Sequence, residues 1–149
     1  MTTMNLLTVV VAPVVVAPVV VAILFIELSS LIREPARRNF MALMLAGAGA
    51  VYISGGGLGI WEFAFAVLLT YCSYRGLTSY RFIGVGWLLH AGWDVVHHLY
   101  GHPIIPFSAT SSLGCAICDP VIAAWCFAGA PSFHNLIRRR VRQDVPSTS

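Results

Sequence analysis

Four of the five histidines fall between His90 and His102, and Asp94 lies among them. On a helix of 3.6 residues per turn, His90, Asp94 and His97 sit at i, i+4 and i+7, so they share one stripe with His98 beside it. Imidazole and carboxylate together are the donor set of zinc and iron sites. Such a site with an open position carries a water for hydrolysis or binds oxygen. His90, Asp94, His97 and His98 are the favoured ligands, and His102, Cys115 and Cys118 are further candidates. Glu62, Asp94 and Asp119 are candidate catalytic carboxylates, as ligands or as general acid and base. Without a metal, the same groups would do acid–base work on an apolar substrate or pass protons. The bland alternative is a hydrogen-bonded network that fixes helix packing.

These residues sit in an unusually apolar chain. Of 149 residues, 58% are hydrophobic and 10% charged, and the mean hydropathy is +0.80. That composition predicts an all-α, polytopic membrane helix bundle in the cytoplasmic (inner) membrane, with the lipid bilayer as its surroundings. The nine basic residues are all arginine, and they do not interleave with aromatics as in a nucleic-acid surface. Four cysteines are too few for a disulfide scaffold. The apolar N-terminal run has no preceding Arg or Lys, which argues for a retained span rather than a cleaved leader.

Five spans are expected: 6–32, 39–53, 58–74, 82–100 and 111–129. The first opens on the repeated Val9-Val-Val-Ala-Pro13-Val-Val-Val-Ala-Pro18, whose prolines should bend it. In the second, Ala46-Gly47-Ala48-Gly49-Ala50 lets a neighbouring helix approach closely, and such small-residue faces also fit a homo-oligomer. Ser54-Gly-Gly-Gly57 is a turn, and Ser111 or Ser112 can cap the fifth span. This count puts every arginine on one side: Arg33–Arg38, Arg75–Arg81 and the tail Arg138–Arg142. By the positive-inside rule that side is cytoplasmic and the N-terminus is outside. Residues 1–137 then form one transmembrane domain, and 138–149 a basic, disordered tail.

Counting from the helix ends puts Glu62, His97, Asp94, Cys115, Cys118 and Asp119 within roughly 3–11 Å of one end of the bundle, with His90 deeper, at 1.5 Å per residue. No arginine lies at that end, so the three carboxylates must be protonated, paired with imidazole or bound to a metal. Elsewhere the expectations are structural. Cys115-x-x-Cys118 packs, since free cysteine behaves as a small hydrophobe. Trp87 and Trp93 pack beside the site, Glu27 pairs with Arg33 or reaches the interface, and His134 is interfacial.

Several stretches carry a resemblance: Tyr52-Ile-Ser-Gly-Gly-Gly-Leu-Gly, Trp61-Glu62, Tyr71-Cys72-x-Tyr74-Arg75-Gly76, Gly86-Trp-Leu-Leu-His90-x-x-Trp93-Asp94-x-x-His97-His98 and Ser111-Ser-Leu-Gly-Cys115-Ala-Ile-Cys118-Asp119-Pro120. Over about Tyr52 to Gly129 the chain resembles a family of small bacterial integral membrane proteins catalogued only as a domain of unknown function. The resemblance implies a multi-span membrane protein and supplies no activity. Asp94-x-x-His97-His98 is also similar to the His-x-x-His-His boxes of membrane fatty-acid hydroxylases and desaturases, but five histidines are too few for their di-iron ligand set.

The residues themselves favour a metal-dependent enzyme, a hydrolase or oxidoreductase holding zinc or iron, that acts on a lipid or other apolar substrate. A metal-ion or proton transport module is the second reading, and a non-catalytic accessory subunit the third.

Overall fold

The computed structural model describes residues 4–103, 105 and 107–132, with side chains from Val14 onward. The basic tail, Arg138–Arg142 and His134 lie outside the described residues. Within them the chain is all-α, without strands: α1 Met4–Ser30, α2 Ala36–Ala50, α3 Ile60–Gly76, α4 Tyr80–Tyr100 and α5 Ser111–Phe127.

Local chemistry sets the boundaries. α2 begins directly after Pro35, whose fixed φ suits a helix start. Gly59 precedes α3 at φ 61°, a left-handed conformation that glycine adopts without a Cβ clash. α4 ends where the Gly101 N–H donates to the His97 carbonyl, 3.0 Å away. Pro120 lies inside α5, where it cannot donate to the preceding turn; it points outward, and its neighbour Asp119 points inward.

α4 packs against α5, α3 and α2, while α1 covers α5 and α2 covers α3. Met41, Leu45, Leu69 and Ile83 are fully buried at this junction. Burying such side chains contributes roughly 1.5–3 kcal/mol each. Gly49 is what lets α2 approach α3, since a Cβ there would lie 2.5 Å from the Leu69 Cβ. At the far end of α4, Arg37 donates to Glu34 (2.9 and 2.7 Å), Tyr80 donates to the same oxygen (2.6 Å), and Arg38 donates to the Leu77 carbonyl (2.9 Å). The α1–α2 and α3–α4 corners are thereby tied together. Glu27 is exposed, and among the described residues the ion pair at this end is Arg37–Glu34.

The membrane architecture expected from composition is overturned. Among the described residues, no helix is long and apolar enough to cross a membrane. α2 has 15 residues and α3 and α5 have 17 each. They rise about 23–26 Å, less than the hydrocarbon thickness of about 30 Å. α4 has 21 residues, but Arg81, His90, Asp94, His97 and His98 interrupt its apolar run. Five transmembrane spans, a multi-pass topology and an outside N-terminus therefore have no support. The high hydropathy belongs in part to outward faces: Leu43, Ile60, Val67 and Phe107 are all more than two-thirds exposed.

Candidate functional site

The α4 stripe forms as its spacing requires. His90, Asp94 and His97 are buried, and His98 is exposed on the other face. The stripe then divides by height. Seven residues separate His90 from His97, about 10 Å along the axis, so the two imidazoles meet different neighbours.

The lower group is a triad. His90 Nδ1 lies 2.7 Å from Asp119 Oδ2 on α5 and 3.0 Å from Asp94 Oδ2 one turn along α4. The other ring nitrogen, Nε2, lies 3.1 Å from the Ala48 carbonyl at the end of α2. A carbonyl only accepts, so Nε2 carries a proton, and Nδ1 is the atom offered to the carboxylates. All three residues are at most 3% exposed. Their ligand atoms lie within 4.8 Å of one another, which lets the group hold a metal ion.

Tyr52 orients the triad from the turn after α2. Its hydroxyl donates to Asp94 Oδ1 (2.6 Å) and faces Ser112 Oγ (3.1 Å), whose own proton can supply the other bond. Asp94 Oδ1 is satisfied; Asp94 Oδ2 is buried without a hydrogen bond and points at His90 and Asp119. Burial opposes a charged His90, but Asp119 and Asp94 outweigh it and raise the imidazole to about 10. Burial pushes the Asp119 carboxyl up to about 6 against the pull of His90. Tyr52 is raised well above its ordinary value by burial and by its bond to Asp94.

The upper group is a closed pair. His97 Nδ1 faces the Trp93 carbonyl at 3.0 Å and Nε2 faces Glu62 Oε1 at 2.9 Å. Glu62 also accepts from the Leu58 N–H (3.1 Å) and the Trp93 indole (3.3 Å). Glu62 and both ring nitrogens of His97 therefore have polar partners within the fold. The Tyr52 ring stacks on His97 with centroids 3.6 Å apart, so one side chain braces both groups. Gly56 closes over the pair: a Cβ there would lie 2.6 Å from His97 Nε2 and collide with Glu62.

Glu62 and His97 thus lie together but apart from the triad. His98 and His102 are exposed, and the His102 N–H donates to the Gly56 carbonyl (2.9 Å) above the upper pair. Cys115 and Cys118 are half-buried free thiols. Burial, reinforced by the two aspartates, pushes Cys115 up to about 12 and Cys118 up to about 11, so both stay protonated. With His90 and Asp119 they line a cavity of about 250 Å³, walled by Val21 and Phe25 of α1, Met44 of α2, and Trp87 and Ile122.

Sequence reasoning did not single out Tyr52 or Ser112 for this site. The serine is adjacent to the start of α5, where a cap is the usual reading, yet Thr110 holds the cap position without a side-chain bond. The one available signal for Tyr52 was a polar aromatic directly after a small-residue helix.

No curated protein and no solved structure matches this chain. Residues 13–132 match a family of unknown function, DUF6010, and the chain belongs to that family.

Proposed function

We propose that His90, Asp94 and Asp119 hold a divalent transition metal, and that the chain is a metal-dependent enzyme acting on a small apolar substrate admitted to the adjoining cavity. The observation that carries this is Asp94 Oδ2, a buried carboxylate oxygen without a hydrogen bond, turned toward a second carboxylate and an imidazole nitrogen. Native chains rarely leave such an atom unpartnered, and a cation between the three would satisfy all of them. The outer contacts fit the same reading. A metal-bound histidine characteristically gives its other N–H to a carbonyl, as His90 does to Ala48, and a ligating carboxylate is itself hydrogen-bonded, as Asp94 is by Tyr52. One imidazole and two carboxylates suit zinc, iron or manganese. Bound there, the ion would supply Lewis acidity beside the cavity. The chain's own part is to fix the ligand geometry and to keep water away with apolar walls.

A metal-free reading has one observation in its favour. His90 Nδ1 also sits where an imidazolium would be shared by two carboxylates, which would make the triad a proton-holding core element. Elemental analysis of pure, tag-free protein separates the two. The metal reading expects close to one zinc, iron or manganese per chain, lost in His90→Ala and Asp119→Asn and kept in His98→Ala and His102→Ala. Wild-type protein that stays metal-free after incubation with each ion would refute it.

A further inference from the structure

α3 is largely apolar on both of its faces. The inner face packs against α2 and α4 and buries Phe65, Ala66 and Leu69. The outer face carries Ile60, Ala64, Val67, Tyr71 and Tyr74, a 4-3-4-3 spacing that makes a straight seam for a second helix. Ile60, Val67 and Tyr74 are 74%, 71% and 69% exposed, and Trp61 and Phe63 beside them are each more than half exposed. The outward face of a surface helix is ordinarily charged or polar. Here Glu62 is buried on the inner side, and the Thr70 hydroxyl donates to the Ala66 carbonyl (2.8 Å). From Ile60 to Tyr74 the outer face therefore carries no charge, whereas the outer face of α4 carries Arg81 and His98.

We infer that two copies of this chain pair through the outer face of α3, antiparallel about a two-fold axis at Val67. The area suffices for a stable pair. Aromatic side chains present about 150–250 Å² each and aliphatic ones about half that. At the exposures of Ile60, Trp61, Phe63, Val67, Tyr71 and Tyr74, each copy offers roughly 600 Å², so a pair buries about 1,200 Å², enough for a specific interface. Exposed tyrosine and tryptophan are also the side chains that most often carry binding energy. Charge sets the orientation. Arg75 is exposed at the end of the seam, its guanidinium 4.7 Å from the Phe82 ring centroid. Parallel pairing would put the two Arg75 side chains together. Antiparallel pairing about Val67 separates them by about 24 Å along the axis, well beyond the screening length of about 8 Å at physiological salt. It also sets Ile60 of one copy against Tyr74 of the other, and the same surface then serves both copies. The pairing uses none of the triad residues, so it stands with or without a bound ion.

Sedimentation equilibrium of the full, tag-free chain should give a dimer. Val67→Glu sets like charges face to face at the axis and should raise the dissociation constant roughly a hundredfold or more. Glutamate is a good helix former, so helical content by circular dichroism should be kept. Leu88→Glu, at an exposed apolar position on α4, should leave the dimer intact. Cross-linking reads the geometry. Val67→Cys should link copy to copy on oxidation, above the background from the wild-type thiols. Chains carrying Ile60→Cys and chains carrying Tyr74→Cys should link to each other when mixed, and neither to itself. A monomer at every concentration overturns the inference, as does an assembly that Val67→Glu leaves intact or that Leu88→Glu disperses equally. So does a lack of Val67→Cys linkage, or self-linkage of Ile60→Cys or Tyr74→Cys, the mark of parallel pairing. If Val67→Glu loses its helical content, the cysteine variants decide alone.

Discussion

Replacing Tyr52 by Phe removes one oxygen and leaves the ring stacked on His97, so it isolates what the hydroxyl does for Asp94. That hydroxyl sits 2.6 Å from Asp94 Oδ1, a short bond to a fully buried carboxylate. Hydrogen bonds to charged groups contribute about 1.5–3 kcal/mol. Without it, Asp94 Oδ1 loses the donor that holds the carboxylate in position as a ligand. Taking about 2 kcal/mol, the affinity for zinc should fall roughly 30-fold, within the 10–100-fold range for partners of metal ligands. Ser112→Ala removes only the longer 3.1 Å contact between two hydroxyls, and should weaken zinc no more than roughly fivefold. The assay is competition with a chromophoric chelator, paired with thermal unfolding of the metal-free proteins. If Tyr52→Phe lowers Tm yet leaves zinc affinity unchanged, Tyr52 is only a packing residue and the assignment of Asp94 as a ligand is wrong.

Two further outcomes follow from the same geometry. In metal-free protein, His90 is raised from 6.5 to about 10 and Asp119 from 3.8 to about 6, so both bind protons more tightly folded than unfolded. The contribution of Asp119 is full below its ordinary value and is lost as pH rises through about 6; that of His90 is full below 6.5 and is lost through about 10. The Tm of metal-free protein should therefore fall across that range, while bound zinc, having displaced the protons, should flatten the fall; a metal-free Tm that climbs with pH contradicts the triad's proton affinity. Gly56→Ala forces Glu62 and His97 apart, and breaking a buried pair costs about 3–5 kcal/mol. Unfolding should come roughly 10 °C earlier, with metal content unchanged, and a loss of metal here would place the upper pair in the metal centre.

Much of the framework was legible before any coordinates. Apolar runs and their punctuation brought all five expected starts within three residues of the helices, and the i, i+4, i+7 spacing of His90, Asp94 and His97 set one inward stripe. Counting residues from the turns also brought Asp119 to the height of that stripe, because equal rise from the same end of a bundle gives equal height whatever surrounds it. The transmembrane spans were misread. Hydropathy records residue type and not the face a residue occupies, so the outward Leu43, Val67 and Phe107 counted the same as buried Leu45 and Leu69. The division of the stripe was also hidden. Nothing in the spacing alone says that His97 turns to Glu62 on α3 while His90 turns to Asp119 on α5, since that depends on which helix packs at each height. Tyr52 escaped because its role comes from a turn folding back over α4, a contact 42 positions away in sequence.

The charge arrangement is what singles out the triad. Glu62, Asp94 and Asp119 are all buried, and the buried imidazoles are His90 and His97. Glu62 and His97 are partners 2.9 Å apart, and Glu62 also accepts from Leu58 and Trp93. That leaves two carboxylates for one imidazole, at the place where an oxygen has no hydrogen bond. A third proton or a cation must make up the difference, since an uncompensated buried charge is strongly unfavourable. A proton can neutralise the site but cannot bond to three ligand atoms at once, whereas a divalent ion does both. The cavity of about 250 Å³ is lined by His90 and Asp119 and not by Glu62 or His97, so the triad, and not the upper pair, borders the apolar space.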